Sequence, residues 1–313
     1  MLPLHIMSAI MKKKESLSVV IPSYNCRSVE LVARLHEQAE RASRVSPAFR
    51  YEIIVADDGS TDKATVAANR SINAMSHCRY IERGENVGRA AIRNILAREA
   101  RYDYLLFIDG DAMIVSDDYL SNYLGSEGDD IVNGGVSIVG DYKALRHNLR
   151  FVYEYKASPH HDVESRQREP YKSFRSTNFL VRRQLMMSHP FDERVRRYGY
   201  EDVLFGKAMR EAGHVIRHID APVGIGDFED NAAFIAKTEE ALRTLYAFRH
   251  DLVGYSPLLS AAMRLRRWRL LPLLRLSHRL FGSMERHVLE GSRPNLAIFR
   301  LYKMGYLASL ANA

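Results

Sequence analysis

Residues 102–120 read YDYLLFIDGDAMIVSDDYL, and the middle of this stretch decides how the chain is built. The apolar run 105–108 drives straight into Asp109 and Asp111, with Gly110 alone between them. An unbroken apolar run of this length predicts a strand covered on both faces, the habit of parallel sheets flanked by helices. Two carboxylates at the end of such a strand repel each other unless a cation or hydrogen-bond donors lie between them. The stretch therefore predicts a buried strand whose carboxyl end takes something positive.

Outward from it, short β-branched runs alternate with helical periodicity, which predicts an α/β domain with a mostly parallel sheet. SLSVVIPSYN (16–25) reads as a first strand, and residues 28–44 place Val29, Val32, Leu35 and Ala39 at helical spacing. YEIIVADDGS (51–60) supplies a second strand ending in Asp57, Asp58 and Gly59, with a helix expected near Ala64. RYIERGENVGRAAIRNILAREA (79–100) reads as a short strand, a glycine-containing loop and a helix. Residues 141–175, rich in His, Arg, Tyr and Lys, read as irregular, and FRSTNFLVRRQLM (174–186) returns to strand character. Leu204, Phe205, Ala208, Met209 and Ala212 then form one helical stripe that Gly213 stops, with Glu201 and Asp202 in the first turn. In open parallel sheets ligands sit at the carboxyl ends of the strands, so Ser23, Asp57, Asp58, Asp109 and Asp111 are expected in one crevice.

The chain has 313 residues, 46% hydrophobic and 27% charged, enough for one large core or a core with an appendage. Its two cysteines, Cys26 and Cys78, lack zinc-ligand spacing and argue for a reducing compartment, so a cytoplasmic location is expected. No window holds the ~18 uncharged apolar residues that a membrane span needs, and MLPLHIMSAIMKKK places its charges after the apolar part, unlike a secretory signal. Met7 or Met11 is an alternative start. The net charge is +7, yet residues 252–313 alone hold nine Arg, one Lys and two Glu, so the surplus is local and a nucleic-acid partner is not expected. In that part Leu258, Ala261, Leu265 and Trp268 fall on one side of a helix, with Arg264, Arg266, Arg267 and Arg269 flanking or opposite, and Pro272 interrupts the pattern. Tryptophan among arginines fits a peripheral segment on an anionic membrane surface; a helix packed on the domain is the plainer alternative. The expected division is a disordered tail over 1–16, a catalytic domain over 17–245 and a basic helical extension over 246–313.

Five segments occur in a fixed order: VVIPSYN, ADDGSTD, ENVGRAAIRN, FIDGD and YGYEDVLFGKAMREAG. Together they make the chain resemble the family 2 nucleotide-sugar glycosyltransferases of the GT-A fold, over about residues 17–213. The resemblance implies a Rossmann-like, mostly parallel sheet flanked by helices. It also implies inverting transfer of a sugar from a nucleotide-diphosphate donor, foremost a UDP-sugar, to an acceptor hydroxyl in cell-envelope polysaccharide or glycoconjugate assembly. The acceptor would be a sugar or a lipid-linked sugar.

Site roles follow from the same resemblance. Asp111 would bind Mn²⁺ or Mg²⁺ bridging the donor diphosphate, and Asp109 would reach the ribose or a metal-bound water. Asp57 and Asp58 would contact base and ribose, although Asp, Gly and Ser also favour a simple turn with a helix cap. Pro22 and Tyr24 would frame the base. Gly88 would allow close backbone approach, with Arg89 or Arg93 free for a phosphate or merely charges on a helix surface. Asp202 would be the general base and Glu201 would hold an acceptor hydroxyl, although acids favour a helix's first turn anyway.

One departure matters. Relatives often carry a metal-ligating His after this helix; in HIDAPVGIGDFEDN that place falls near Ile225, while His218 and His214 lie earlier. SPHHDVESRQREPYKSF, with His160, His161 and Asp162, reads as a solvated acceptor-side loop, and Asn178 is expected on that side too. Two other enzyme or binding readings compete: a sugar nucleotidyltransferase, for which PSYNCRS lacks the glycine-rich basic triphosphate loop, and a noncatalytic nucleotide-sugar scaffold.

Overall fold

A computed structural model describes residues 14–126 and 130–311. In chain order the strands are β1 (Ser16–Ser23), β2 (Arg50–Asp57), β3 (Cys78–Glu82), β4 (Tyr104–Ile108), β5 (Met113–Ile114), β6 (Ile131–Asn133), β7 (Val136–Ile138), β8 (Asn178–Arg182), β9 (Ile216–His218) and β10 (Val223–Ile225). Seven form one sheet in the order β3-β2-β1-β4-β8-β6-β9, and β5-β10-β7 form a second. In the large sheet β8 alone runs antiparallel to its neighbours β4 and β6, and the other pairings are parallel.

The unbroken apolar runs have the cause read from the sequence. Val19, Ile21, Leu106 and Ile108 enter one hydrophobic layer, while Val20, Leu105 and Phe107 enter the opposite one. Two-residue alternation thus feeds two cores from each strand. Helix α1 (Val29–Val45) covers the first layer with Leu31, Val32, Leu35 and Ala39. After α2 (Lys63–Asn69), helix α3 (Arg89–Glu99) covers the second with Ala90, Ile92, Leu96 and Ala97. There Phe107 stacks on Phe179 of β8 with ring centroids 4.7 Å apart.

Residues 141–175 are not irregular. Beyond α4 (Tyr119–Gly125), they fold into α5 (Tyr142–Leu145), α6 (Leu149–Ala157), a 3₁₀ turn (Ser158–His160) and α7 (Val163–Arg168). Asp141, Asn148 and Asp162 cap the three helices by accepting from the backbone N–H of Ala144, Phe151 and Ser165. Helices this short repeat too few times for a 3.6-residue period to show.

The short α8 (Arg183–Ser188) leads to α9 (Glu201–Glu211), which buries Leu204, Phe205 and Met209 but leaves Ala208 and Ala212 exposed, and Gly213 ends it at φ +79°. Then follow α10 (Asn231–Ala247), α11 (Pro257–Arg267), α12 (Leu271–Glu290) and α13 (Leu296–Leu310). Leu259 and Leu307 from this part join Leu204, Leu242 and Leu245 in one hydrophobic cluster, so the basic segment packs on α9 and α10. Pro272 does not interrupt a helix; it lies in the first turn of α12, where its missing N–H costs nothing. The break falls one step earlier, at Arg269 with φ +58°.

At the other end, β1 starts at Ser16, and Lys14 is buried with its ammonium donating to the Ser126 carbonyl. The remainder of the expected tail, 1–13, lies outside the described residues. Among the described residues no helix is long and apolar enough to cross a membrane.

Candidate active site

The carboxyl ends of β1, β2 and β4 meet as the topology requires. The Gly110 N–H donates to the Pro22 carbonyl at 3.2 Å, and that of Asp109 donates to the Thr177 carbonyl at 3.0 Å. A Cβ on Gly110 would lie 2.9 Å from both Cys26 Sγ and Ser28 Oγ, so a larger residue between the two acids would have to push these side chains aside. The turn separates them: Asp109 is buried and Asp111 is exposed.

Asp109 is met by arginine from α3. Arg89 donates Nη2 to it at 2.8 Å, and Arg93, which has no exposed surface, donates Nη2 to its other oxygen. Arg89 also donates Nε to Glu201 at 2.8 Å, with Arg93 Nη1 3.9 Å from the same carboxylate. Residues i and i+4 share one helix face, so the two guanidiniums bridge the end of β4 to the start of α9. Burial alone would raise both acids, but Arg89 and then Arg93 outweigh it and hold Asp109 and Glu201 below the ordinary carboxylate range. Arg93 is thus buried in an ion pair rather than lying on the helix surface, and Glu201 spends one carboxylate oxygen on the arginine pair.

Asp202 differs from its neighbour. It accepts from the Val203 N–H at 2.8 Å and, among the described residues, has no cation in contact. Burial and then the Glu201 charge push its carboxyl up to about 6. Asp111 is likewise raised, first because the surrounding side chains strip water from its carboxyl even though the residue keeps exposed surface, and then by Asp109.

Asp57 and Asp58 stand at the end of β2 but spend hydrogen bonds on the chain itself. Asp57 accepts from Tyr80 Oη and, at 2.6 Å, from the Ser60 N–H; Asp58 accepts from the N–H groups of Val87 and Gly88 at 2.9 and 3.0 Å. Gly88, at φ +89°, begins α3, and a Cβ there would lie 3.2 Å from the Arg196 carbonyl oxygen. Pro22 is half-buried and Tyr24 exposed at the lip of β1. Asn25, at φ +51°, ties that lip to Thr61 and Asp62 by accepting their N–H groups at 2.9 and 3.0 Å.

Asn178 is not on an acceptor-facing surface. It is buried, accepting from Tyr119 and Tyr123 at 2.7 Å each and donating to the Gly135 and Ala221 carbonyls. His218 is structural as well, held between Arg166 at 2.9 Å and the Pro170 carbonyl at 3.0 Å, and its imidazole is lowered to about 4, first by burial. Asp162 caps α7, and His161 faces Arg175 at 3.2 Å.

Sequence reading missed a cationic wall. Arg150 of α6 pairs with Glu229, which also meets Lys237 at 3.0 Å. Arg89 and Lys237 lie over the Tyr198 ring, 5.6 and 6.0 Å from its centroid. Arg150 and Arg89 are both near enough to Asp111 to draw its carboxyl down against the larger effect of burial. Arg89 and Tyr198 belong to two of the quoted segments, but Arg150, Glu229 and Lys237 lie outside all five, so no spacing announces them. Among the described residues no three His, Cys, Asp or Glu side chains cluster as a complete metal cage. Asp111 suits a cation that arrives with phosphate ligands, since Mg²⁺-type sites take one or two carboxylates and complete the shell from substrate and water.

Comparison with known proteins places this geometry. A poly(ribitol-phosphate) beta-glucosyltransferase of Bacillus spizizenii is 34% identical over 108 residues, 34% of this chain and 16% of that protein. An uncharacterized glycosyltransferase of Haemophilus influenzae is 34% identical over 95 residues, covering 30% and 29%. A second from that organism is matched over 38% of its length, so the chain spans about a third of these two relatives. A putative glycosyltransferase of Bacillus subtilis is 24% identical over 245 residues, covering 70% and 69%. In structure, a mannosyltransferase from Pyrobaculum calidifontis in complex with GDP-Man and Mn²⁺ superposes with a TM-score of 0.54 at 16% identity, over 95% of this chain and 86% of that one, and shows the shared GT-A fold. The model of glycosyl transferase family 2 matches residues 18–190, more than half of the chain, and the protein belongs to that family.

Proposed function

We propose that the chain transfers a sugar, with inversion, from a UDP-sugar to a hydroxyl on a sugar or lipid-linked sugar acceptor, in cell-envelope polysaccharide or glycoconjugate assembly. The observation that carries this reading is Asp202, a carboxylate without a cation partner whose proton affinity is raised to about 6 beside an ionised neighbour. A base of that strength is ionised at neutral pH and still takes a proton as an alcohol attacks.

In this reading Asp202 receives the acceptor proton, the acceptor oxygen bonds to the anomeric carbon on the face opposite the diphosphate, and the bond from that carbon to the diphosphate oxygen breaks. Asp111 would hold a divalent cation, Mn²⁺ or Mg²⁺, which neutralises charge on the departing diphosphate. Arg150 and Arg89 border the same space and add fixed positive charge. Asp109 and Glu201, held by Arg89 and Arg93, position the two halves of the site. Pro22 and Tyr24 frame the base; Asp57 and Asp58 reach base and ribose through oxygen lone pairs their internal hydrogen bonds leave over, and Gly88 lets backbone approach the donor.

The reading places the enzyme in the cytoplasm, with residues 252–313 resting on an anionic membrane surface. A thermal-shift panel of nucleoside diphosphates, with and without Mn²⁺, tests donor and metal together: stabilisation by UDP that Mn²⁺ deepens is expected, and no response to any nucleotide would overturn it. A noncatalytic scaffold, suggested by Ile225 at the usual His position, would bind nucleotide yet show no transfer by the native chain.

A further inference from the structure

The end of α10 and helices α11, α12 and α13 line a half-open cavity of about 810 Å³, to which neither β4 nor α9 contributes a lining residue. Its walls are apolar, with Leu259, Met263, Leu271 and Leu307 among them. Four arginines also line it, Arg249, Arg266, Arg269 and Arg275, and no lining residue is acidic.

The arginines are set in two ways. Arg249 is anchored by donating to the Tyr246 carbonyl at 2.9 Å, and Arg275 by donating to the Ala308 carbonyl at 2.8 Å. Each guanidinium carries five N–H donors, so most remain available. Arg266 and Arg269 are exposed at its rim, and no carboxylate lines the cavity beside them. Arg269 also occupies a left-handed position, φ +58°, at the stop of α11, where glycine is the usual choice and a larger residue is strained. Four like charges gathered on the rim of one cavity repel, and an anion seated among them relieves that repulsion.

Beside the cavity the surface stays apolar. From Pro272 at the edge of its wall, one turn before Leu276, α12 runs on to Leu273, Leu276, Leu280 and Met284, each more than half exposed. Their spacing sets them on one helix face, while Gly282, Glu285 and Leu289 on the opposite face are buried. Hydrocarbon and phosphate are thus wanted side by side. A free phosphate would leave the apolar walls unused, and a second copy of this chain would bring arginine against arginine.

We propose that the cavity between α10 and α13 binds one phosphate-headed lipid, its head on Arg266 and Arg269 and its hydrocarbon along the apolar walls toward the exposed face of α12. This is a discrete site in addition to surface attraction, and it does not depend on the transfer reaction.

Trp268, the only tryptophan of the chain, lies between these two arginines in sequence and is 67% exposed, so its fluorescence reports on the site. The full chain is titrated with dioctanoyl phosphatidic acid below its micelle concentration, with dioctanoyl phosphatidylcholine and inorganic phosphate as the other arms. Saturable binding of phosphatidic acid is expected, weakened about tenfold or more by Arg266→Gln with Arg269→Gln, the worth of a charge-assisted hydrogen bond. Arg269→Gly removes the charge while relieving the left-handed strain, so weaker binding with an unchanged or higher melting temperature excludes misfolding. Ala262→Phe, which fills the cavity, should abolish binding. Equal responses to phosphate would show a free-anion site, equal responses to phosphatidylcholine a merely greasy one, and unaltered binding by Ala262→Phe a surface effect; each overturns the proposal. Dimerisation in sedimentation without lipid binding would do the same. The UDP thermal shift of the arginine variants should equal that of the native chain, which keeps this outcome separate from the donor reading.

Discussion

Arg89 donates Nη2 to Asp109 at 2.8 Å and its Nε–H to Glu201 at the same distance. One side chain of α3 therefore fixes acids from two distant parts of the chain, with Arg93 buried behind it. Arg93→Met should remove a partner and leave Asp109 and Glu201 short of a cation in a dry setting. Breaking a buried pair from one side costs about 3–5 kcal/mol, and urea unfolding at neutral pH reads it; a loss under about 1 kcal/mol would mean the pair contributes no stability.

The same network fixes an acid limit. Asp109 and Glu201 both lie below their ordinary values in the folded chain. Their stabilisation is fully present above the unfolded-chain values near ~4 and is lost as pH falls through the lower folded values. Melting temperature should drop below about pH 4 more steeply in the native protein than in Glu201→Gln. Parallel curves would show that Glu201 is not held by the arginines.

Asp202 is expected to titrate separately. Its carboxyl is raised to about 6, so a base at this position is lost as the medium is acidified through that value. The kcat/KM profile should carry an ascending limb near there, absent from the residual activity of Asp202→Asn. That variant should keep its UDP affinity while transfer falls by ~10² to 10⁴. Near-native transfer by a folded Asp202→Asn would move the base elsewhere.

Asp111 is exposed and, among the described residues, holds no ion-pair partner that its loss would strand. Asp111→Asn should therefore leave the melting temperature of the free protein nearly unchanged and remove the part of nucleotide binding that Mn²⁺ adds. Calorimetry of UDP with and without Mn²⁺ decides it, and an undiminished Mn²⁺ contribution would assign the cation to other ligands.

Gly110→Ala is the steric counterpart. The added methyl meets Cys26 Sγ and Ser28 Oγ at 2.9 Å and the Pro22 carbonyl oxygen at 3.1 Å, so the turn carrying both acids must shift. Overpacking of this kind costs about 1–3 kcal/mol, and UDP binding should weaken along with stability. A variant as stable and active as the native chain would show that the turn has slack.

What the sequence made legible is what a single buried run or a single turn encodes. The unbroken hydrophobicity of 105–108 required two covered faces, and the acids after β2, β4 and at the start of α9 could only emerge at element ends. The rest needed coordinates for identifiable reasons. Strands of two or three residues, as in β5, β7 and β10, are too short to alternate. Helical spacing says that Arg89 and Arg93 share a face but not that acids wait on it. Asn178 and Asp58 turn inward because tyrosine hydroxyls and backbone N–H groups meet them, and Arg150 and Glu229 pair across 79 residues.

The sheet order carries a kinetic consequence. β1 to β4 form a parallel block from one continuous segment, whereas β8 enters the sheet from residue 178 and the Arg89 to Glu201 contact closes across 112 residues. Loop closure on that scale comes late, after local units have formed. During refolding, secondary structure should therefore recover before the raised proton affinity of Asp202, so that a newly made chain sets the ends of β1, β2 and β4 in place before the acids at the start of α9 join them.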